Sequence, residues 1–156
     1  MTTSIPSNYY SLLATAESSN NPNASNPNSS ASGLYQFTKG TWQSLGYNVS
    51  DIFNPVLQNQ AIQTLTNQNA QTLTNAGIPL TNSNLYAAHF LGAGTATNIL
   101  DPSIDPSTPL SSLVSNSVIT ANPQIAGMSV SQFQTWLSGR IGGTANPHRP
   151  VLPHQA

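Results

Sequence analysis

Cysteine is absent and charge is nearly so: 156 residues carry three Lys or Arg, four Asp or Glu and three His, for a formal net charge of −1. Without cysteine there is no disulfide framework and no thiolate metal site, and the redox compartment is left open. So few cations cannot neutralise a run of phosphates, which excludes nucleic acid as a partner. They also cannot hold the chain electrostatically on an anionic membrane. No apolar run approaches the roughly 18 residues of a membrane span. The opening MTTSIPSNYY lacks the basic and apolar regions of a secretory signal, so any delivery across a membrane is expected to need another component. No His or carboxylate pair has zinc-ligand spacing, and neither a metal nor a cofactor is expected. Internal repeats and a convincing strand pattern are also missing; the most strand-like piece is Ser117–Thr120.

Asn, Ser, Thr, Gln and Pro take the place of charge. Disorder usually pairs low hydrophobicity with high net charge, and here the net charge is almost nil. The apolar residues, 37% of the chain, fall at helical spacing, so the polar bias reads as an uncharged surface on a folded helical domain. Ser7 is a candidate N-cap for a helix carrying Tyr9, Tyr10, Leu12, Leu13, Ala16 and Glu17. Thr38 caps a short helix through Leu45, ended by Gly46. Asn54-Pro55 opens a long helix in which Val56, Leu57, Ala61, Ile62, Leu65, Ala70 and Leu73 form the apolar face and the Gln and Asn residues between them a wet one. Thr81 caps a helix running into Gly92-Ala93-Gly94, and a second short helix is expected from Thr95 to Leu100. Asp101–Pro109 is a loop with two Asp-Pro turns, Pro109–Val114 a short helix, and Asn122-Pro123 a break. Ser129 caps a last helix with Val130, Phe133, Trp136, Leu137, Arg140 and Ile141 on one face, stopped by Gly142-Gly143.

Glu17 is the only glutamate. It falls in the last turn of its helix, where the partial negative charge of the helix end disfavours a carboxylate by roughly 0.3–1 kcal/mol. That field, with burial beside apolar groups, would raise the pKa, as a general acid working near neutrality needs. The plain alternative is a solvated Glu at a frayed helix end.

The neighbours of Glu17 bear on the choice. Glu17-Ser18-Ser19, then Asn23-Ala24, then Gly33-Leu34-Tyr35-Gln36-Phe37 resembles the lytic transglycosylases of the lysozyme-like superfamily, whose pattern is Glu-Ser-Gly, an Asn-containing loop and Gly-Leu-Met-Gln. Gly-Leu-Tyr-Gln-Phe with a Trp shortly after is similar to the branch found in phage and prophage proteins. So is Ala87-Ala88-His89-Phe90-Leu91-Gly92-Ala93-Gly94, which stands where other branches carry Ala-Tyr-Asn-Ala-Gly. Ala121-Asn122-Pro123 and Ser129-Val130 echo it as well, so the resemblance spans roughly residues 8–141.

The resemblance implies an all-α, lysozyme-like fold with a glycan-binding cleft, and cleavage of the β-1,4 bond between N-acetylmuramic acid and N-acetylglucosamine in peptidoglycan. It implies a single catalytic carboxyl, Glu17, that acts first as acid and then as base and leaves a 1,6-anhydro end. The remaining acids are only Asp51, Asp101 and Asp105; none matches a motif position, and the last two sit in Asp-Pro turns where bonding to their own backbone is the expected job.

The substrate-binding candidates carried over by position are Ser18, Gly33, Leu34, Tyr35, Gln36, Tyr86, His89 and Gly92. Ser18 either hydrogen-bonds near the cleaved bond or steadies the helix end. Gly33 and Leu34 offer backbone groups to a sugar. Tyr35 stacks on a sugar or joins the core. Gln36 binds N-acetyl or hydroxyl groups or ties the loop to the core. His89 is a second proton carrier or a hydrogen-bonded core histidine. Tyr86 is a candidate cleft residue.

The expected organisation is one domain over residues 1–143 and an extended Pro/His-containing tail over 144–156. The partner is the peptidoglycan glycan strand, with no nucleic acid and no membrane, and the protein is expected to work as a monomer on the periplasmic cell wall. Two other readings stay open: a hydrolytic lysozyme in the same cleft, and a phage virion or tail protein that binds glycan without cutting it.

Overall fold

A computed structural model describes residues 4–142. The expected tail over 144–156 lies outside the described residues. Among the described residues are seven α-helices: α1 (Tyr9–Ser18), α2 (Lys39–Ser44), α3 (Pro55–Asn75), α4 (Asn82–Leu91), α5 (Ala93–Leu100), α6 (Asn116–Ala121) and α7 (Val130–Ile141). Three 3-10 turns, Val49–Asp51, Leu110–Ser112 and Pro123–Ile125, complete an all-α fold with isolated bridges in place of strands.

The helix starts follow local chemistry. Thr38, Thr81 and Ser129 each accept a backbone N–H from three residues on, and Ser129 with Gln132 forms a reciprocal capping box. Asn54 accepts from Val56 and Leu57, with Pro55 in the first helical position. Ser7 does not cap α1: Asn8 holds the cap position and makes no side-chain cap bond. Ser117–Thr120 is helical, because Ser115 accepts from Val118 N–H and starts α6 there. The piece expected over 109–114 is only the 3-10 turn Leu110–Ser112. α5 starts at Ala93, two residues earlier than expected. The joint is Gly92 at φ 85°, ψ 147°, a conformation L side chains rarely adopt.

α4 is the centre of the molecule. Six consecutive residues, Leu85 to Phe90, are buried, and α3, α5 and α7 all pack against it. α7 also packs on α1, which closes the two ends of the described chain over one core. Phe90 meets Phe133 and Trp136 of α7 with ring centroids 6.2 and 5.7 Å away. A second aromatic group joins Phe37, Trp42 and Tyr47; Trp42 is fully buried and its Nε1–H donates to the Asn48 carbonyl at 2.7 Å. Each such buried large apolar side chain contributes about 1.5–3 kcal/mol. The face of α3 expected to be wet is not wholly so, since Gln58, Thr66 and Asn69 are buried.

Candidate active site

Glu17 lies in the last turn of α1, 6% exposed, so it is not the solvated side chain of a frayed end. The helix stops just after it, where Ser19 and Asn20 take left-handed conformations (φ 53° and 62°). Their N–H groups bond back to the Thr15 and Ala14 carbonyls. Asn tolerates this region through its short polar side chain, and for Ser it is less common. The double turn sends the chain into the Asn/Pro/Ser loop at Glu17.

Ser18 joins that end to the Gly33–Phe37 turn. Its Oγ donates to the Leu34 carbonyl at 2.8 Å and to Ala14 at 3.1 Å, and it accepts from Asn21 N–H. The turn is held from beneath by Gln58 of α3, which is fully buried. The Gln58 Oε1 accepts from Leu34 N–H at 3.1 Å, while Nε2 donates to the Ile52 and Pro22 carbonyls at 2.8 and 3.1 Å. Gly33 is obligatory here for two reasons: its φ is 83°, and a Cβ would sit 2.6 Å from Gln58 Nε2. Gln36, at φ 55° and 3% exposed, donates from Nε2 to the Gly33 carbonyl at 2.9 Å, so in this structure its amide ties the turn to itself. Leu34 and Tyr35 are also buried, and Tyr35 donates to Asn59 Oδ1 at 2.6 Å.

His89 of α4, 2% exposed, bonds through Nε2 to the Tyr35 carbonyl at 2.9 Å. A carbonyl only accepts, so Nε2 carries the hydrogen and the ring is oriented as a tie between α4 and the turn. His89 and Gly92 line a cavity of about 160 Å³ with Thr41, Leu65 and Asn69. Ser18, Gly33, Leu34, Tyr35, Gln36 and His89 are thus brought together by hydrogen bonds around the end of the Glu17 helix.

Tyr86 sits differently. Expected as a cleft residue, it is fully buried. Its oxygen accepts from Arg140 Nε–H at 2.8 Å. Burial pushes the Tyr86 phenol well above its ordinary range; the charge of Glu17 adds to this, while Arg140 opposes it. Tyr9, likewise fully buried, is pushed up by burial first and then by the charge of Glu17. Both phenols therefore stay protonated and neutral. Arg140 reaches across from α7, 4% exposed, and its Nη2 donates to the Ala16 carbonyl at 3.0 Å, one residue before Glu17. The guanidinium lies 5.4 Å from the Trp136 ring centroid.

The three aspartates stand apart. Asp51 is exposed in a 3-10 turn. Asp101 and Asp105, both exposed, accept from the backbone and hydroxyl of Ser103 and Ser107 at 2.8–2.9 Å, the turn bonding expected of them. Those backbone bonds first, and the hydroxyls second, hold both carboxyls below the usual aspartate value. No group of three or more His, Cys, Asp or Glu side chains among the described residues could hold a metal ion.

Sequence reasoning missed Gln58 and the role of Arg140. A signal existed for Arg140: it stands on the apolar face of α7 in a chain with three cations. None existed for Gln58, one amide among many.

The sequence model of the family described as Transglycosylase SLT domain matches residues 2–97, more than half of the chain, from before α1 into α5. No curated protein matches the chain.

Proposed function

The chain belongs to the transglycosylase SLT domain family and is a lytic transglycosylase acting on peptidoglycan, and from that premise we propose that Glu17 alone supplies both proton transfers. Glu17 protonates the oxygen linking N-acetylmuramic acid C1 to N-acetylglucosamine O4, and the C1–O4 bond breaks. The muramic acid N-acetyl oxygen assists at C1, where positive charge develops. The Glu17 carboxylate then takes the proton from the same sugar's 6-hydroxyl, whose oxygen bonds to C1 and closes the 1,6-anhydro ring. No water is consumed, and Glu17 ends protonated as it began.

One observation carries this reading: the single glutamate is buried at the end of α1, while all three aspartates are exposed on other segments, two of them occupied in their own turns. A two-carboxylate mechanism needs a partner roughly 5–9.5 Å away across the bond, and the exposed aspartates are poor candidates. The glycan lies in a cleft between the Glu17 end of α1 and the Gly92–Gly94 segment. Gly33–Leu34 backbone groups and Ser18 contact the sugars there. The Gly33–Phe37 and Ala87–Gly94 blocks support a place in the phage and prophage branch, acting as a monomer on the cell wall after delivery by another component.

The test is digestion of purified cell wall with mass spectrometry of the fragments. The parent protein is expected to leave 1,6-anhydro ends, and Glu17→Gln to lose about 10²–10⁴-fold in rate. Equal activity in Glu17→Gln overturns the role of Glu17. Reducing ends in the parent digest overturn the internal 6-hydroxyl attack and put water in its place.

A further inference from the structure

The Ala121-Asn122-Pro123 break lies beyond residue 97, where the family match ends, and borders a cavity of about 360 Å³. Asn28 forms one wall; Thr120, Ala121, Pro123 and Gln124 form the other. Asn28 belongs to the loop that leaves the Glu17 end of α1 and returns at the Gly33 turn. That loop is pinned by Asn26 N–H on the Ala31 carbonyl and Gly33 N–H on the Ala24 carbonyl, at 3.0 and 2.8 Å. The cavity thus adjoins the segment that joins the candidate acid to its turn.

The wall over 120–124 has hydrogen-bonding groups left over, and the sequence explains why. Asn122 sends both its N–H and its side-chain Nδ2–H back to the Val118 carbonyl, at 3.0 and 2.9 Å. Pro123 has no N–H to give. The last two carbonyls of α6, Thr120 and Ala121, therefore end without a backbone donor among the described residues. Gln124 has the opposite surplus: its Nε2 is shielded from solvent and has no hydrogen-bond partner among the described residues. A buried donor without an acceptor is uncommon in a folded chain. The terminal torsion of a glutamine is soft, so this amide can turn into the cavity. No wall residue carries a charge.

A ligand that fits has an N–H for the free carbonyls, a carbonyl for Gln124 Nε2, and a small apolar part to lie on Ala121 and Pro123. An acetamido group has these three parts. We propose that the cavity is a binding subsite for a 2-acetamido sugar of the glycan strand, held through its acetamido group by Gln124 and the end of α6. The proposal rests on peptidoglycan being the substrate and does not depend on Glu17 being the acid. The volume is at the lower end of the roughly 300–1,000 Å³ of small-ligand sites, which suits one sugar ring. The peptide stems of peptidoglycan fit worse, because their carboxylates call for cations that this wall lacks.

Titration calorimetry with the β-1,4-linked tetramer of N-acetylglucosamine tests the assignment, with cellotetraose as the neutral tetramer that lacks acetamido groups. Gln124→Leu roughly keeps the side chain's size and removes its amide. It is expected to weaken the acetylated tetramer about 3–10-fold and to bind cellotetraose as the parent does. Thermal melts establish that the variant is folded. If it is not, NMR of the parent decides: the Gln124 side-chain amide signal must shift when the acetylated tetramer is added. No binding of that tetramer by the parent, equal affinity in folded Gln124→Leu, or an unmoved Gln124 amide signal overturns the proposal. An equal loss for cellotetraose overturns the acetamido contact, and tighter, Gln124-dependent binding of a free stem peptide puts peptide in place of sugar. The titration reads binding rather than cleavage. A fully active Glu17→Gln would therefore remove the acid and leave this result standing, whereas unchanged binding in Gln124→Leu removes the subsite alone.

Discussion

Replacing Gln58 with leucine removes three hydrogen bonds while roughly keeping the side chain's volume. The bonds run to Leu34 N–H, the Pro22 carbonyl and the Ile52 carbonyl, at 3.1, 3.1 and 2.8 Å. A net bond is worth about 1 kcal/mol, and a backbone group left buried without a partner costs about 1–3 kcal/mol. Leu34 N–H and the Ile52 carbonyl are in buried contacts and the Pro22 carbonyl in a partly buried one. The expected loss is about 3–5 kcal/mol, a large share of the roughly 5–15 kcal/mol that holds a domain together. At about 2–4 °C per kcal/mol for a chain of this size, the melting temperature should fall by roughly 6–20 °C. Circular dichroism melts and urea titration read the loss directly. Gln58→Glu refines the test. At neutral pH it keeps an acceptor for Leu34 N–H but turns its other oxygen to carbonyls that only accept. At low pH the protonated acid regains one donor, so its deficit relative to the parent should shrink on acidification. A Gln58→Leu melt within about 2 °C of the parent would refute the idea that this amide holds the Gly33–Leu34 turn.

Gly92→Ala should lower stability by about 1–3 kcal/mol from backbone strain alone, since no heavy atom lies near an added Cβ; a thermal melt checks it, and an unchanged melting temperature would mean the α4–α5 joint relaxes freely. Asp101 and Asp105 have folded-state pKa values below the unfolded ones, so their stabilisation is present above the usual aspartate value and is lost as pH falls through the depressed folded values. An Asp101→Ala, Asp105→Ala double variant should therefore lose less stability than the parent between about pH 4 and 2, and parallel urea-midpoint curves over that range would count against the turn bonds.

Much of the helix plan was legible because caps are local. Thr38, Asn54-Pro55, Thr81 and Ser129 each act within three residues of themselves, and each starts a helix where its sequence says so. α6 was obscured by Val118, Ile119 and Thr120, whose β-branched side chains favour strands; the Ser115 cap overrides that preference. The candidate site was legible in its motif residues, and the bonds linking Ser18 to Leu34, Gln36 to Gly33 and His89 to Tyr35 join most of them. What supports them was hidden for a physical reason. Gln58 matters because Leu34, Ile52 and Pro22 have backbone groups that need partners, and Arg140 because the Tyr86 hydroxyl and the Ala16 carbonyl do. Such needs appear only once the chain has folded back over many residues, and periodicity does not register them.

The clasp between Ala16 and Arg140 also sets an order of events. A ribosome makes α1 early, but the Arg140 contacts behind Glu17 form only after residue 140 has been added, 124 positions downstream of Ala16. Until then the nascent chain holds its acid without that part of its setting. A fragment cut at residue 97, where the family match ends, would stop inside α5 and stay permanently in that unfinished condition.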